Sequence, residues 1–248
     1  ATILKKRPES FRQLADAAHD SLVEKIERGS EGLTDTRFLH TEPHHDDLML
    51  GLLPAIVRNM RTFHNDHYFV TLTSGFTAVT NEFMLKRLEG LKRWISTPQF
   101  DKLNSQNYFD ADDDLAKNRD IWLYLDGIAA KDEEIQEEGA ARRLLRNMMD
   151  VYEESQVEAI QERMIELVHY FSTVYPGRKD KEEIQCLKGM CREWEAETLW
   201  GYFGWSSSHI KHLRLGFYTG DIFVPEPTMS RDVPPVVDLL KEVRPDLI

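Results

Sequence analysis

The sequence predicts an α/β fold: a mainly parallel sheet with helices on both faces, a three-layer α/β/α arrangement of Rossmann-like type, carrying a large helical insert. Three observations predict it. Short β-rich segments alternate with stretches of helical periodicity at both ends of the chain, the pattern of strands joined by helical crossovers. The middle, about residues 80–203, reads almost entirely as helix. Hydrophobic residues make up 41% of the 248, an ordinary share for a chain that buries a core.

Taken in order, Pro8-Glu9-Ser10 opens a helix to about Arg28, with Phe11, Leu14, Ala18, Leu22 and Ile26 on one stripe. Residues 29–36 are a polar, turn-rich break. Arg37-Phe38-Leu39-His40-Thr41 reads as a short strand, and a helix is expected over about residues 47–63. Residues 67–73, His-Tyr-Phe-Val-Thr-Leu-Thr, form the clearest strand, rich in aromatic and β-branched residues; Ser74-Gly75 ends it in a turn. Ser155-Gln156-Val157-Glu158 has the form of a capping box. It opens a helix with Val157, Ile160, Met164, Leu167 and Phe171 on one face. Tyr175-Pro176-Gly177 breaks that helix, and the next runs over about residues 181–203. Strand character returns at residues 209–217. Pro234-Pro235 starts a short helix, Arg244-Pro245 stops it, and Asp246-Leu247-Ile248 begins another strand. The expected organisation is an N-terminal helix and linker, residues 1–36, then one α/β domain, residues 37–248, with its insert at about 81–182.

Composition narrows the function classes. The formal charge is -12 with no basic stripe, which disfavours nucleic acid as a partner because phosphate contacts need clustered Lys and Arg. The longest strongly apolar stretch, residues 48–57, is about half of the ~20 residues that a membrane-spanning helix needs, so no membrane association is expected. Cys186 and Cys191 fall in one predicted helix, five residues apart, on different faces. A disulfide between them is not expected, which fits a reducing, cytoplasmic location. The acidic runs Asp112-Asp113-Asp114 and Asp132-Glu133-Glu134 are expected to be solvated faces or loops. The insert's amphipathic helices fit either a cover over the site or the interface of a homo-oligomer.

The segment with chemistry is Pro43-His44-His45-Asp46-Asp47. It follows the first strand and opens the next helix, and in open parallel sheets ligands bind beyond the carboxyl ends of the strands. His44 and Asp47 are three residues apart, so one turn can aim both at a single point. Imidazole and carboxylate suit zinc or another divalent ion. Asp46 points elsewhere and could take a proton from water activated by the metal. The plainer alternative is that Asp46 and Asp47 cap the helix and favour its positive end.

Pro43-His44-His45-Asp46-Asp47 after a strand resembles the Pro-His-Pro-Asp-Asp motif of the PIG-L/LmbE-like N-deacetylase family. Three further segments resemble, in matching order, one branch of it, the deacetylase-like domain fused behind glucosamine-6-phosphate deaminase: Thr73 to Thr80, Cys191-Arg192-Glu193-Trp194-Glu195-Ala196, and His212 to Gly220. The resemblance implies that His44 and Asp47 bind zinc, that Asp46 is the general base and that Arg192, ahead of Glu195, contacts substrate. It implies hydrolysis of an acetamide on an amino sugar or sugar phosphate, releasing acetate and an amine. The alternative within the same branch is a non-catalytic accessory domain of a deaminase-type protein.

Departures from the family pattern matter. The motif's second proline is His45 here; it is expected to support a ligand from behind or to be tolerated, rather than to ligate. Leu48 stands where an acidic residue often follows, and Leu53-Pro54 lies near the position of the family's glycine pair. The third metal ligand is expected on a His just after the strand beginning at Asp246, past Ile248, which would leave this chain short of one ligand. The other histidines are expected to be structural: His64-Asn65-Asp66-His67 as a surface loop, and His209 and His212 at the opposite end of the sheet from the motif.

Overall fold

In the computed structural model, residues 10–110, 113–175, 177–217 and 226–248 are described. Pro8, Glu9, Asp112, Pro176 and the Tyr218-Thr219-Gly220 end of the fourth family-like segment lie outside them. The fold is mixed α/β, mostly helical, around a small parallel sheet. Strands β1 (Arg37–Glu42), β2 (Asp66–Thr71) and β3 (Ile210–His212) lie in that order. β1 pairs with β2 in the register Arg37↔Asp66 to Glu42↔Thr71, and β2 with β3 in the register Phe69↔Ile210 to Thr71↔His212. On the other side of β1, Leu247 bridges to Phe38 in parallel. The strand start expected at Asp246 therefore joins the sheet edge: Leu39 N–H donates to the Leu247 carbonyl at 2.9 Å.

Alternation along β2 builds two cores. Phe69 packs with Leu48, Ile56, Ala196, Trp200 and Ile210; Val70, the next residue, packs with Leu39, Leu239 and Val243. Successive strand side chains point to opposite faces, so one strand serves both clusters. The larger third cluster belongs to the helices between β2 and β3, and includes Met84, Leu88, Leu91, Leu145, Met148, Ile160 and Leu187.

Helix α1 (Phe11–Ser30) begins at Ser10, whose side chain forms a capping box with Gln13. None of its residues is buried, so the Phe11, Leu22 and Ile26 stripe is exposed. The helix expected over residues 47–63 is two helices, α2 (Asp47–Gly51) and α3 (Leu53–Met60). They break at Leu52, with φ −127° and ψ 0°, because Pro54 has no N–H to continue the ladder. The insert contains α4 (Asn81–Trp94), α5 (Pro98–Ser105), α6 (Asp114–Ala130), α7 (Glu133–Val151) and α8 (Val157–Thr173), followed by α9 (Glu182–Tyr202).

The expected capping box at 155–158 does not form. The N-cap of α8 is Gln156, without a side-chain cap, and Glu154 Oε1 accepts from Gln156 N–H at 2.8 Å instead. The acidic runs are more than solvated faces. Asp113 caps α6 by accepting from Ala116 N–H, and Asp132 caps α7 by accepting from Glu134 and Ile135 N–H. Such carboxylates satisfy donors that a helix start leaves unpaired. The last helix, α10 (Met229–Val243), starts earlier than Pro234-Pro235, which lie inside it. Thr228 caps it through Arg231 N–H, and Asp232 accepts from Thr228 N–H. The strand expected over residues 209–217 is cut to three residues. Arg214 takes a left-handed φ of 49°, which turns its guanidinium onto buried Glu193 at 2.5 and 2.8 Å. No helix among the described residues is long and apolar enough to cross a membrane, and neither Cys186 nor Cys191 forms a disulfide.

Candidate functional site

Pro43 to Asp47 links the end of β1 to the start of α2, at the carboxyl edge of the sheet. Two anchors hold this turn. Thr73 lies just past β2 and donates through its hydroxyl to the Pro43 carbonyl at 2.7 Å. Glu42, the last residue of β1, is buried and accepts from Leu48 N–H and from the Thr71 hydroxyl, both at 3.1 Å. Burial pushes the Glu42 carboxyl up to about 7, against the two hydrogen bonds that pull it down; Asp47 and Asp46 nearby push it further.

Above these anchors the motif side chains separate. His44 N–H donates to Asp47 Oδ2 at 2.9 Å, and the His44 ring nitrogen Nδ1 lies 3.5 Å from the same oxygen. The imidazole and carboxylate therefore converge, as the three-residue spacing requires. Asp46 is the most exposed of the three, at 59% of its side chain. His45 turns inward and is 4% exposed. Its ring stacks on His212 with centroids 5.8 Å apart, and neither ring nitrogen has a hydrogen-bond partner among the described residues. Burial first, then His212, Arg192 and His44, lower its pKa to about 3, so the ring is neutral. His45 thus packs behind the turn.

α9 supplies the remaining residue. Arg192 forms an ion pair with Glu195, and its other nitrogen lies 4.0 Å from Asp46 Oδ1. Burial raises the Glu195 carboxyl, and Arg192 lowers it. The close approach of α9 to the turn after β2 depends on two glycines. A Cβ on Gly189 would sit 2.1 Å from Ser74 Oγ. Gly75 has φ 62°, the left-handed region where glycine carries no Cβ penalty, and a Cβ there would meet His45 Nδ1 at 3.3 Å. The structure thus brings His44, Asp46, Asp47 and Arg192 together, with His45 beneath them.

Two expectations about histidines are corrected. His212 is not at the far end of the sheet. It pairs with Thr71, beside Glu42, at the carboxyl edge, and it contacts His45 from below. The sequence predicts a strand over residues 209–217, with His212 near its start; the strand is so short that His212 is already its end. His209 does lie at the far end, 3.5 Å from Asp66. Only the start of residues 64–67 is a surface loop: His64 is an exposed turn residue, whereas Asp66 already opens β2 and His67 is fully buried, stacked on Phe38 and hydrogen-bonded to His40 at 2.9 Å. Burial first, then His67, lowers the His40 pKa to about 4. Three contributors were missed: Glu42, Thr73 and His212. Glu42 had a signal, an acid at an inward position of an alternating strand; His212 had none before the pairing was known.

Among the described residues, no group of three or more His, Cys, Asp or Glu side chains is placed to hold a metal. His44 and Asp47 are suitable donor types for zinc, but they are two, and a catalytic zinc takes three protein ligands beside an open position. No family model, curated protein or solved structure matches the chain.

Proposed function

We propose that the chain belongs to a metal-dependent hydrolase resembling the N-deacetylases of N-acetylated amino sugars or their phosphates, on a three-layer Rossmann-like domain. The observation that carries the reading is the meeting of Arg192 with Asp46, at 4.0 Å, beside the converging His44 and Asp47. Sequence spacing alone relates the three motif residues to each other; it does not relate them to Arg192.

His44 and Asp47 would hold a divalent ion, together with a third donor from outside the described residues. Bound there, such an ion polarises the acetamide carbonyl and acidifies water. Asp46 then takes the proton from the attacking water as its oxygen bonds to the carbonyl carbon. The same carboxyl returns that proton to the nitrogen as the C–N bond breaks, so acetate and a free amine leave. Arg192, fixed by Glu195, binds a hydroxyl or phosphate of the sugar and sets the acetamide against Asp46.

The full-length protein loaded with zinc is expected to release acetate from at least one of a panel of N-acetylated amino sugars and their phosphates, and a chelator is expected to stop it. Stoichiometric zinc with no acetate from any of them would sink the proposal. A second reading, a non-catalytic domain beside a deaminase, is favoured by the absence of three metal donors among the described residues. It gains if that panel stays silent.

A further inference from the structure

We infer that the large cavity between the helical insert and the sheet binds a small organic ammonium ion. The cavity has a volume of about 890 Å³ and lies between α7, α9 and β3. That is within the range of small-molecule sites, about 300–1,000 Å³, but such sites are mostly apolar. This wall is crowded with charges and amides, so an occupant has to match them.

Five cations face the cavity: Lys117, Arg143, Arg146, Lys211 and Arg214. Each already has a carboxylate. Lys117 meets Asp114 at 3.3 Å, Arg146 meets Asp120 at 2.8 Å and Lys211 meets Glu242 at 2.8 Å. Arg143 grips Glu197 at 2.5 and 2.8 Å, and Arg214 grips Glu193 in the same two-pronged way. The charge of every one of these cations is matched, although the Nε–H of Arg143 has no acceptor among the described residues. The surplus is negative. Asp150, near the end of α7, and Glu153, just after it, line the same space; neither side chain makes a direct ion pair or hydrogen bond among the described residues, although Asp150 lies within the field of Arg214.

A second observation is independent of charge. Asn147 lies three residues before Asp150, on the same face of α7. It is 2% exposed and lines the cavity. Its amide makes no hydrogen bond to another described residue, so its polar atoms are open to an occupant of that space. An ammonium group has three donors and no acceptor. The Asn147 carbonyl oxygen and the Asp150 carboxylate are the acceptors it needs, with Glu153 adding charge at the mouth.

The shared chemistry is a primary ammonium on a small polar chain, from either an aliphatic diamine or a hydroxylated amine. Calorimetric titration of the protein with putrescine and with glucosamine distinguishes the two sources, with butane-1,4-diol and sorbitol as uncharged counterparts. At least one amine is expected to bind, and neither uncharged compound. Asp150→Asn is expected to weaken binding about tenfold or more, the loss of a hydrogen bond to a charged group; adding Glu153→Gln weakens it further. Both positions are exposed, so these variants keep the fold. Asp46→Asn, at the other site, is expected to leave the affinity for putrescine unchanged. Absence of binding by both amines, equal binding of the uncharged compounds, indifference to Asp150→Asn with Glu153→Gln, or loss of putrescine binding on Asp46→Asn would each overturn the inference.

Discussion

Glu197 shows how a single charge ties the candidate site to the helical insert. Its carboxylate holds Arg143 on one side and faces His212 at 3.5 Å on the other, and His212 supports His45. Burial alone would raise its pKa; Arg143 and His212 outweigh that and bring it to about 2, below the ordinary 4.5. A carboxyl depressed by folding adds stability that is present above about 4.5 and lost as the pH falls towards about 2. Acid unfolding is therefore expected to steepen in that window, and Glu197→Gln to flatten it. The same substitution leaves Arg143 buried without its partner and is expected to cost about 3 kcal/mol in denaturant titrations; a change near zero would show the pair to be dispensable. At this scale the sequence was informative where chemistry is local. The spacing of His44 and Asp47 is a property of four residues. His212 and Glu42 were misplaced or missed because their surroundings are made by strand pairing, which spacing cannot reveal.

Among the elements, the insert is held by close backbone approach as much as by apolar contact. α6 and α7 form an antiparallel pair in which a Cβ on Gly127 would lie 2.7 Å from the backbone nitrogen of Gln136, and one on Gly139 would lie 2.9 Å from Tyr124. A backbone atom cannot swing aside as a side chain can. Gly127→Ala is therefore expected to destabilise, by about 1–3 kcal/mol, despite alanine's better helix propensity. A stabilised variant in thermal melts would contradict that packing. Helix existence was legible throughout the insert because apolar periodicity persists over many turns. The ends were less so. Pro234-Pro235 resembles a helix start, yet Thr228 and Asp232 cap α10 further upstream. Ser155 resembles a cap, yet the helix begins after Gln156. Caps compete with neighbouring caps, and a local pattern does not say which wins.

For the whole molecule, α9 is the common spine. Ile184, Leu187 and Cys191 belong to the core of the insert, and Ala196 and Trp200 to the core against the sheet, where Trp200 stacks on Phe69 at 3.8 Å. Arg192 lies between these two sets, so the packing that joins insert to sheet also aims it at Asp46. With both cores sharing one helix, thermal unfolding is expected to be a single transition, coincident by near- and far-ultraviolet circular dichroism. Two separated transitions would mean that insert and sheet fold independently. The alternation of strands and helices with a helical interruption could be read from the sequence, and so could the parallel sheet; its small size could not. That α9 serves both cores could not, because its apolar residues satisfy a helical period whichever core they enter.

The central claim is that Asp46 moves the proton in a metal-assisted hydrolysis at this turn. The most direct measurement compares acetate release by the zinc-loaded full-length protein with that of its Asp46→Asn variant, with bound zinc quantified in both. The expected result is equal zinc and a rate lower by about 10² or more in the variant, the usual contribution of a positioned general base. Equal zinc and an undiminished rate would contradict it.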